Sequence, residues 1–121
     1  MRAILLTLAV WTTAAISAPA QDAVQVDPKH YKVEFENEQV RVLRISFGPD
    51  EKSVMHRHPA NIGVFLTDTR AKFTLPGGKS TEVAFKAGTT TWDSGGTHLP
   101  ENISGRPFEL ILVELKGLTA R

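Results

Sequence analysis

The sequence predicts a single all-β domain. Its 121 residues leave room for one folded unit. Short runs of alternating apolar and polar residues are separated by glycine, proline and aspartate about every eight to twelve residues, a spacing typical of a sandwich or barrel of antiparallel strands. No amphipathic helical period and no internal repeat appears among them. These observations favour antiparallel strands over a parallel α/β sheet.

The first strands are predicted from their alternation. In Tyr31–Phe35, apolar side chains alternate with lysine and glutamate, which indicates a half-buried strand. The apolar side chains of Gln39–Phe47 change phase near Val42, which predicts a bulge or bend there. Shorter strand-like runs follow: Asn61–Leu66, Lys72–Leu75, Thr81–Lys86 and Thr89–Trp92.

A tight turn and a central strand complete the predicted elements. In Leu75–Gly78, Pro76 fixes φ at the second position, and Gly77 supplies the positive φ that the third position of a type II turn requires. The run Pro107–Lys116 is apolar on both parities. It is therefore expected to be covered on both faces and to lie in the middle of a sheet.

The N-terminus has the pattern of a signal peptide over residues 1–20. Arg2 precedes an uncharged, mostly apolar run, Ala3–Ile16, and Ala18-Pro19-Ala20 provides an Ala-x-Ala cleavage site. The run is shorter than the about 20 residues that a membrane-spanning helix needs. We therefore expect cleavage after Ala20 and a periplasmic or secreted protein without a stable membrane span. The alternative is an uncleaved N-terminal anchor.

Charge and cysteine content exclude several functions. Removal of the predicted signal peptide takes away one of the 14 basic residues and none of the 13 acidic ones, so the mature chain carries no formal net charge. Because no basic patch is visible, we expect no binding to nucleic acid or to an anionic membrane surface. The absence of cysteine excludes disulfides and a thiol nucleophile. Stability must come from a packed core.

Three histidines form the candidate functional site. His56 and His58 are one residue apart, so on a β-strand their imidazoles share one face, roughly 6.5–7 Å apart at the backbone. His98 could complete a three-nitrogen site for a divalent ion, with Fe, Zn, Ni, Cu and Mn as candidates. The alternative for an isolated His-x-His pair is a solvated loop. His30 has no such pattern and is expected at the surface.

The chain resembles the cupins in two motifs. His56-x-His58 before a turn and a strand is similar to the first motif of the family, and Gly88 followed by His98-x-x-x-Asn102 is similar to the second. The resemblance implies a single antiparallel jelly-roll β-barrel. It also implies that the three histidines are metal ligands, supported by the asparagine and the glycine. The implied organisation is an N-terminal arm with little regular structure (residues 21–30), a barrel (residues 31–116) and a C-terminal tail (residues 117–121).

The departures from the cupin motifs concern the metal site. Gly48 lies two residues too far upstream, and Ser94 stands where proline is usual. The metal-binding glutamate of the family would fall at Ile62 or Gly63. Loss of this anionic donor weakens binding of hard ions such as Mn²⁺ and favours Zn, Cu, Ni or Fe. The site is then either weak or vacant, or it is a catalytic centre with open positions. Glu101 is a substitute ligand, an acceptor for an imidazole N–H, or a solvated residue.

The resemblance allows two classes of function. The first is a metal-dependent enzyme, an oxygenase if the metal is iron, that acts on a small organic molecule at an open coordination position. The second is a non-catalytic module that binds a sugar or another small molecule and has a structural or vacant metal site. Phe65, Phe73 and Trp92 either line a pocket for such a ligand or belong to the core. Small cupins often pair through their sheets, so the resemblance also allows a homodimer.

Overall fold

A computed structural model describes residues 21–117. Its helix is α1 (Ala23–Val26). Its strands are β1 (Tyr31–Glu36), β2 (Val40–Phe47), β3 (His56–His58), β4 (Asn61–Phe65), β5 (Thr69–Thr74), β6 (Ser80–Phe85), β7 (Thr90–Asp93), β8 (Gly96–Asn102) and β9 (Phe108–Leu115). The predicted signal peptide and residues 118–121 of the predicted tail lie outside the described residues. Within residues 21–117, no helix has the length and apolar character needed to cross a membrane.

Two antiparallel sheets face each other and enclose the core. One sheet has five strands in the order β1-β2-β9-β4-β7, and the other has four strands in the order β3-β8-β5-β6. This architecture confirms the predicted all-β jelly-roll barrel. The inward-facing side chains of β2 and β9 form the centre of the core: Leu43, Ile45, Phe47, Phe108, Leu110 and Leu112. Burial of this apolar surface stabilises a chain that has no cysteine to cross-link it.

Strand β9 lies between β2 and β4, which confirms its predicted central position. Its inward face is buried in the core. The residues of its outward parity, which were expected to be covered as well, are only half-buried: Glu109, Ile111, Val113 and Leu115. The five-stranded sheet therefore has one face in the core and one face that reaches the solvent.

A register shift occurs beside Val42, where the sequence predicts a bulge or bend, but the additional residue lies on the neighbouring strand β1. Strand β2 pairs with β9 without a break. The register shift lies in β1, where Val33 pairs with Leu43 but Phe35 pairs with Val42. The apolar pattern of β2 changes phase because Arg41, which has the inward parity of Leu43, is a charged residue that bonds to a carboxylate inside the barrel.

Residues 21–30 are more ordered than the predicted arm. They include the one-turn helix α1, and the side chain of Ala23 is completely buried in the core. The backbone N–H of Arg57 in β3 donates to the carbonyl of Gln21 at 2.9 Å. The guanidinium of Arg41 in β2 binds the carboxylate of Asp22. The segment is therefore held against two strands of the barrel.

The turn between β5 and β6 has the backbone geometry that the sequence predicts. Gly77 has φ of 95°, in the left-handed region that a side chain disfavours. The N–H of Gly78 donates to the carbonyl of Leu75 at 3.0 Å, which closes the four-residue turn. Both the positive φ of Gly77 and this hydrogen bond agree with the predicted type II turn.

Candidate metal centre

The pairing of β3 with β8 brings the three histidines together. His56 and His58 lie on one face of β3 because side chains alternate along a strand, and both are buried. His98 in β8 is directly opposite His56, and Gly96 is opposite His58. One nitrogen of each imidazole lies within 4.8 Å of the nitrogens of the other two. The three predicted ligands therefore form one cluster that could hold a metal ion.

Hydrogen bonds fix which nitrogens of His56 and His58 face the cluster. Nδ1 of His56 lies 2.7 Å from the carbonyl oxygen of Val54, so this nitrogen donates and leaves Nε2 as the acceptor. Nδ1 of His58 lies 2.7 Å from a carboxylate oxygen of Glu114 and is a donor for the same reason. The two Nε2 atoms are 3.0 Å apart. Both Nε2 atoms therefore face the cluster, where each could bind a metal ion.

His98 supplies the third nitrogen. Its Nε2 is buried and has no hydrogen-bond partner among the described residues. Its ring stacks on Phe73, with the ring centroids 5.1 Å apart and the planes at 4°. A buried polar nitrogen without a partner is destabilising, and coordination to a metal ion would satisfy it. The donor set therefore fits a divalent ion that accepts imidazole ligands, such as Zn, Cu, Ni or Fe.

The barrel keeps two of these imidazoles neutral. Burial, together with the neighbouring imidazole of His58, lowers the pKa of His56 to about 4. Burial also lowers the pKa of His98 to about 3, and the other two histidines add to the effect. Because only the neutral imidazole binds a metal, protons do not compete at these two nitrogens near neutral pH.

Glu114 is a functional residue that the sequence analysis missed. It is 1% exposed and lies on the inward face of β9. One carboxylate oxygen accepts from Nδ1 of His58, and the other accepts from Nε of Arg41 at 2.6 Å. Arg41 in turn binds Asp22. This carboxylate fixes the tautomer and the orientation of His58, as carboxylate partners of metal-bound histidines do. The sequence offered no signal for its burial, because β9 is apolar on both parities.

His30 is buried at 5% exposure, so the prediction of a surface residue is wrong. Its Nδ1 lies 2.7 Å from a carboxylate oxygen of Asp27, and its ring stacks on Phe47. The hydroxyl of Ser53 donates to the same carboxylate oxygen at 2.5 Å and lies 3.4 Å from Nδ1 of His56. His30 is thus part of a polar network behind His56 and does not join the cluster of three histidines.

No carboxylate of the described chain replaces the missing family glutamate. Of the two aligned positions, Gly63 is buried and lines the barrel interior, whereas Ile62 is exposed. A Cβ atom at Gly63 would lie 2.7 Å from Oγ1 of Thr91, so the threonine hydroxyl occupies the space that a side chain needs. Glu101 pairs with Lys72 on the outer face of β8, with 3.3 Å between the charged groups, which fits a solvated residue.

Asn102 and Gly88, the other two residues of the second cupin-like motif, have structural roles that fit the resemblance. Asn102 is 1% exposed, and its side-chain amide donates to the carbonyls of Gly48 at 2.9 Å and Arg106 at 2.7 Å. These bonds tie the end of β8 to the loops on either side of it. Gly88 has φ of 86° and accommodates the turn before β7.

A cavity of about 450 Å³ opens beside the histidine cluster. His58 and His98 line it, together with all three aromatic residues singled out from the sequence: Phe65, Phe73 and Trp92. Phe65 also belongs to the core. Trp92, in strand β7, is 61% exposed. The volume is in the range of small-molecule sites.

Comparison with known proteins identifies the fold. No protein-family model matches the chain, and no curated protein matches it. Among solved structures, it is similar to a cupin domain from Bordetella pertussis, with 23% identity, a TM-score of 0.67, and coverage of 84% of this chain and 100% of that chain. It is also similar to a Cupin 2 conserved barrel domain protein from Salinispora arenicola, with 18% identity, a TM-score of 0.57, and coverage of 91% and 92%.

A third similar structure is a protein with a double-stranded β-helix domain from Klebsiella pneumoniae, with 22% identity, a TM-score of 0.59, and coverage of 74% of this chain and 78% of that chain. The three likenesses show the fold of the chain, which is the cupin barrel. The fold and the histidine cluster together define a small cupin-fold protein with a candidate centre for a divalent metal.

Proposed function

We propose that this chain is an exported cupin that holds a divalent metal through His56, His58 and His98 and presents it to a small organic molecule. The observation that supports the proposal best is the convergence of three imidazole nitrogens at the wall of a cavity. A metal with three protein ligands keeps positions for water or substrate. The homodimer that the resemblance allows remains part of the proposal.

The residues around the cluster have distinct parts in this function. A bound metal would supply Lewis acidity, or dioxygen chemistry if it is iron. Glu114 and the carbonyl of Val54 orient two of the ligands. Gly63 leaves the position of the family glutamate without a donor. The largely apolar wall gives a small organic ligand contact area beside the metal.

One observation favours the second candidate function, a non-catalytic binding module. Among the described residues that line the cavity, the only carboxylate is that of Asp93, and the two imidazoles belong to the histidine cluster. Asp93 is exposed and accepts from the backbone N–H of Gly95 at 2.6 Å. No buried carboxylate therefore lines the cavity. Besides the metal ligands, the buried acid–base group of this lining is the phenol of Tyr31, whose pKa is raised by burial. A site that only binds a ligand would have the same features.

Restoring the family glutamate tests whether the metal has an open position. We expect azide to change the visible spectrum of the Co²⁺-loaded parent protein, and to leave unchanged that of Gly63→Glu combined with Thr91→Ala, in which a carboxylate occupies the open position. The second substitution removes the hydroxyl that lies 2.7 Å from the new Cβ. Thr91→Ala alone is the matched control and should respond to azide as the parent does.

The response of the parent protein to exogenous ligands separates the candidate functions. If the parent protein holds its metal but refuses azide and small carboxylates, the metal is structural and the binding module becomes the better function. Circular dichroism of the double variant shows whether the added side chain has overpacked the barrel.

Export is proposed from the sequence pattern of residues 1–20. Mass spectrometry of the protein recovered from the periplasm or the medium should give an N-terminus at or near Gln21. Soluble protein that retains Met1 would contradict this part of the proposal.

A further inference from the structure

The cavity beside the histidine cluster has aromatic walls with defined orientations. Phe65 stacks on Phe85, with centroids 4.2 Å apart and planes at 19°, and Phe73 lies flat against the imidazole of His98. Phe65, Phe73 and Phe85 all line the cavity. A ligand that binds at the metal therefore has its body among aromatic rings, where apolar contact area stabilises it.

The cavity offers no positive side chain to an anionic ligand. Among the described residues that line it, none is arginine or lysine. Arg41 has inward parity in β2 but bonds to Glu114 and Asp22, and it does not line the cavity. The charged group in the wall is the carboxylate of Asp93. A small dianion would lose its hydration in an apolar space with only the metal to balance two charges, which is unfavourable.

Gly96 keeps the space next to the cluster open. It pairs with His58, and a Cβ atom at this position would meet nothing within 4 Å. Gly63 also lines the cavity from β4, but the hydroxyl of Thr91 fills the space beside it. Since Gly96 carries no side chain, a flat ligand can approach the histidine cluster on this side without displacing protein atoms.

From this lining we propose that the cavity selects a molecule with a largely apolar, planar body and a single metal-binding group, and that it discriminates against small dianions such as dicarboxylates. The inference rests on the proposed function, because the metal held by the three histidines anchors the binding group. It adds the substrate class, which the histidine cluster alone does not determine.

Two hydroxamates with the same metal-binding group test this selection. Acetohydroxamate and benzohydroxamate differ in a methyl against a phenyl body, and oxalate serves as the dianionic chelator. On Zn²⁺-loaded protein, calorimetric titration should show benzohydroxamate binding at least about tenfold tighter than acetohydroxamate, as expected for burying the larger apolar body. Each affinity is divided by the affinity of that ligand for free Zn²⁺. On the same corrected scale, oxalate should bind more weakly than benzohydroxamate.

A matched pair of phenylalanine variants locates the preference in the cavity. Phe85→Ala removes a wall residue and should reduce benzohydroxamate affinity severalfold, with acetohydroxamate affinity unchanged. Phe35→Ala removes a phenylalanine that is 54% exposed on β1, outside the cavity, and should change neither affinity.

The outcomes separate this inference from the function on which it rests. Equal corrected affinities for the two hydroxamates, or tighter binding of oxalate, would overturn the selection for apolar ligands and leave the open metal site standing. Failure of the metal-loaded protein to bind either hydroxamate would overturn the open site itself. Failure to bind Zn²⁺ would overturn the proposed function.

Discussion

Replacing His58 by alanine is expected to lower the affinity for a divalent metal by more than about a hundredfold. Loss of a hydrogen-bond partner of a metal ligand already lowers metal affinity about 10–100-fold, and this substitution removes the ligand itself. It also leaves Glu114 buried with one partner fewer. His56→Ala and His98→Ala should have effects of the same order, since each removes one of three nitrogens. Elemental analysis of purified protein and competition with a chelator of known affinity measure the loss.

His30→Gln is the control for this series. His30 is as buried as His58, at 5% exposure for each, but it lies outside the cluster. Its loss should lower the free energy of unfolding by about 1–3 kcal/mol, because Asp27 loses a buried hydrogen-bond partner. Metal affinity should stay at the parent value. Equal metal content in all four variants, with circular dichroism showing intact folds, would leave the three-histidine site without support.

The site residues that the sequence could predict are those with a fixed local spacing. His56 and His58 share a face in any β-strand, so their convergence follows from the period of two. The position of His98 opposite them came from the resemblance, because a pairing across about forty residues depends on which strands become neighbours. Gly63 and Ile62 could not be told apart by spacing. Only the pairing of β4 with β7 and β9 decides which of them faces inward.

Glu114 and His30 escaped prediction for different physical reasons. Strand β9 is apolar on both parities, so its pattern does not tell whether Glu114 faces the core or the solvent. Its burial depends on Arg41, which lies 73 positions away in the sequence. His30 depends on the docking of residues 21–30 against the barrel, which no periodic pattern in that segment indicates. In both cases, partners distant in the sequence or an irregular segment stabilise a buried polar group.

Glu114→Gln is expected to have the second-largest effect, because it changes one charge at the centre of a buried network. The amide keeps the size of the side chain but cannot accept from both His58 and Arg41 as the carboxylate does. Metal affinity should fall by about 10–100-fold, as it does when the hydrogen-bond partners of other metal-bound histidines are replaced. The free energy of unfolding of the metal-free protein should fall by about 3 kcal/mol, because Arg41 loses a buried counter-ion and keeps only Asp22.

The same strand provides a matched control. Glu109→Gln changes the same residue type in β9, but Glu109 lies on the outer face, where it pairs with Arg44 at 37–39% exposure. The loss of such a solvated pair should cost less than about 1 kcal/mol and should leave metal affinity unchanged. The effects of Asp22→Asn should lie between those of the other two variants, because this substitution weakens the ion pair of Arg41 and leaves the hydrogen bond to His58 in place. Chemical denaturation and metal titration of the three variants measure both quantities. If Glu114→Gln bound metal as tightly as Glu109→Gln, the carboxylate would not be what orients His58 for the metal, and its burial would serve the barrel alone.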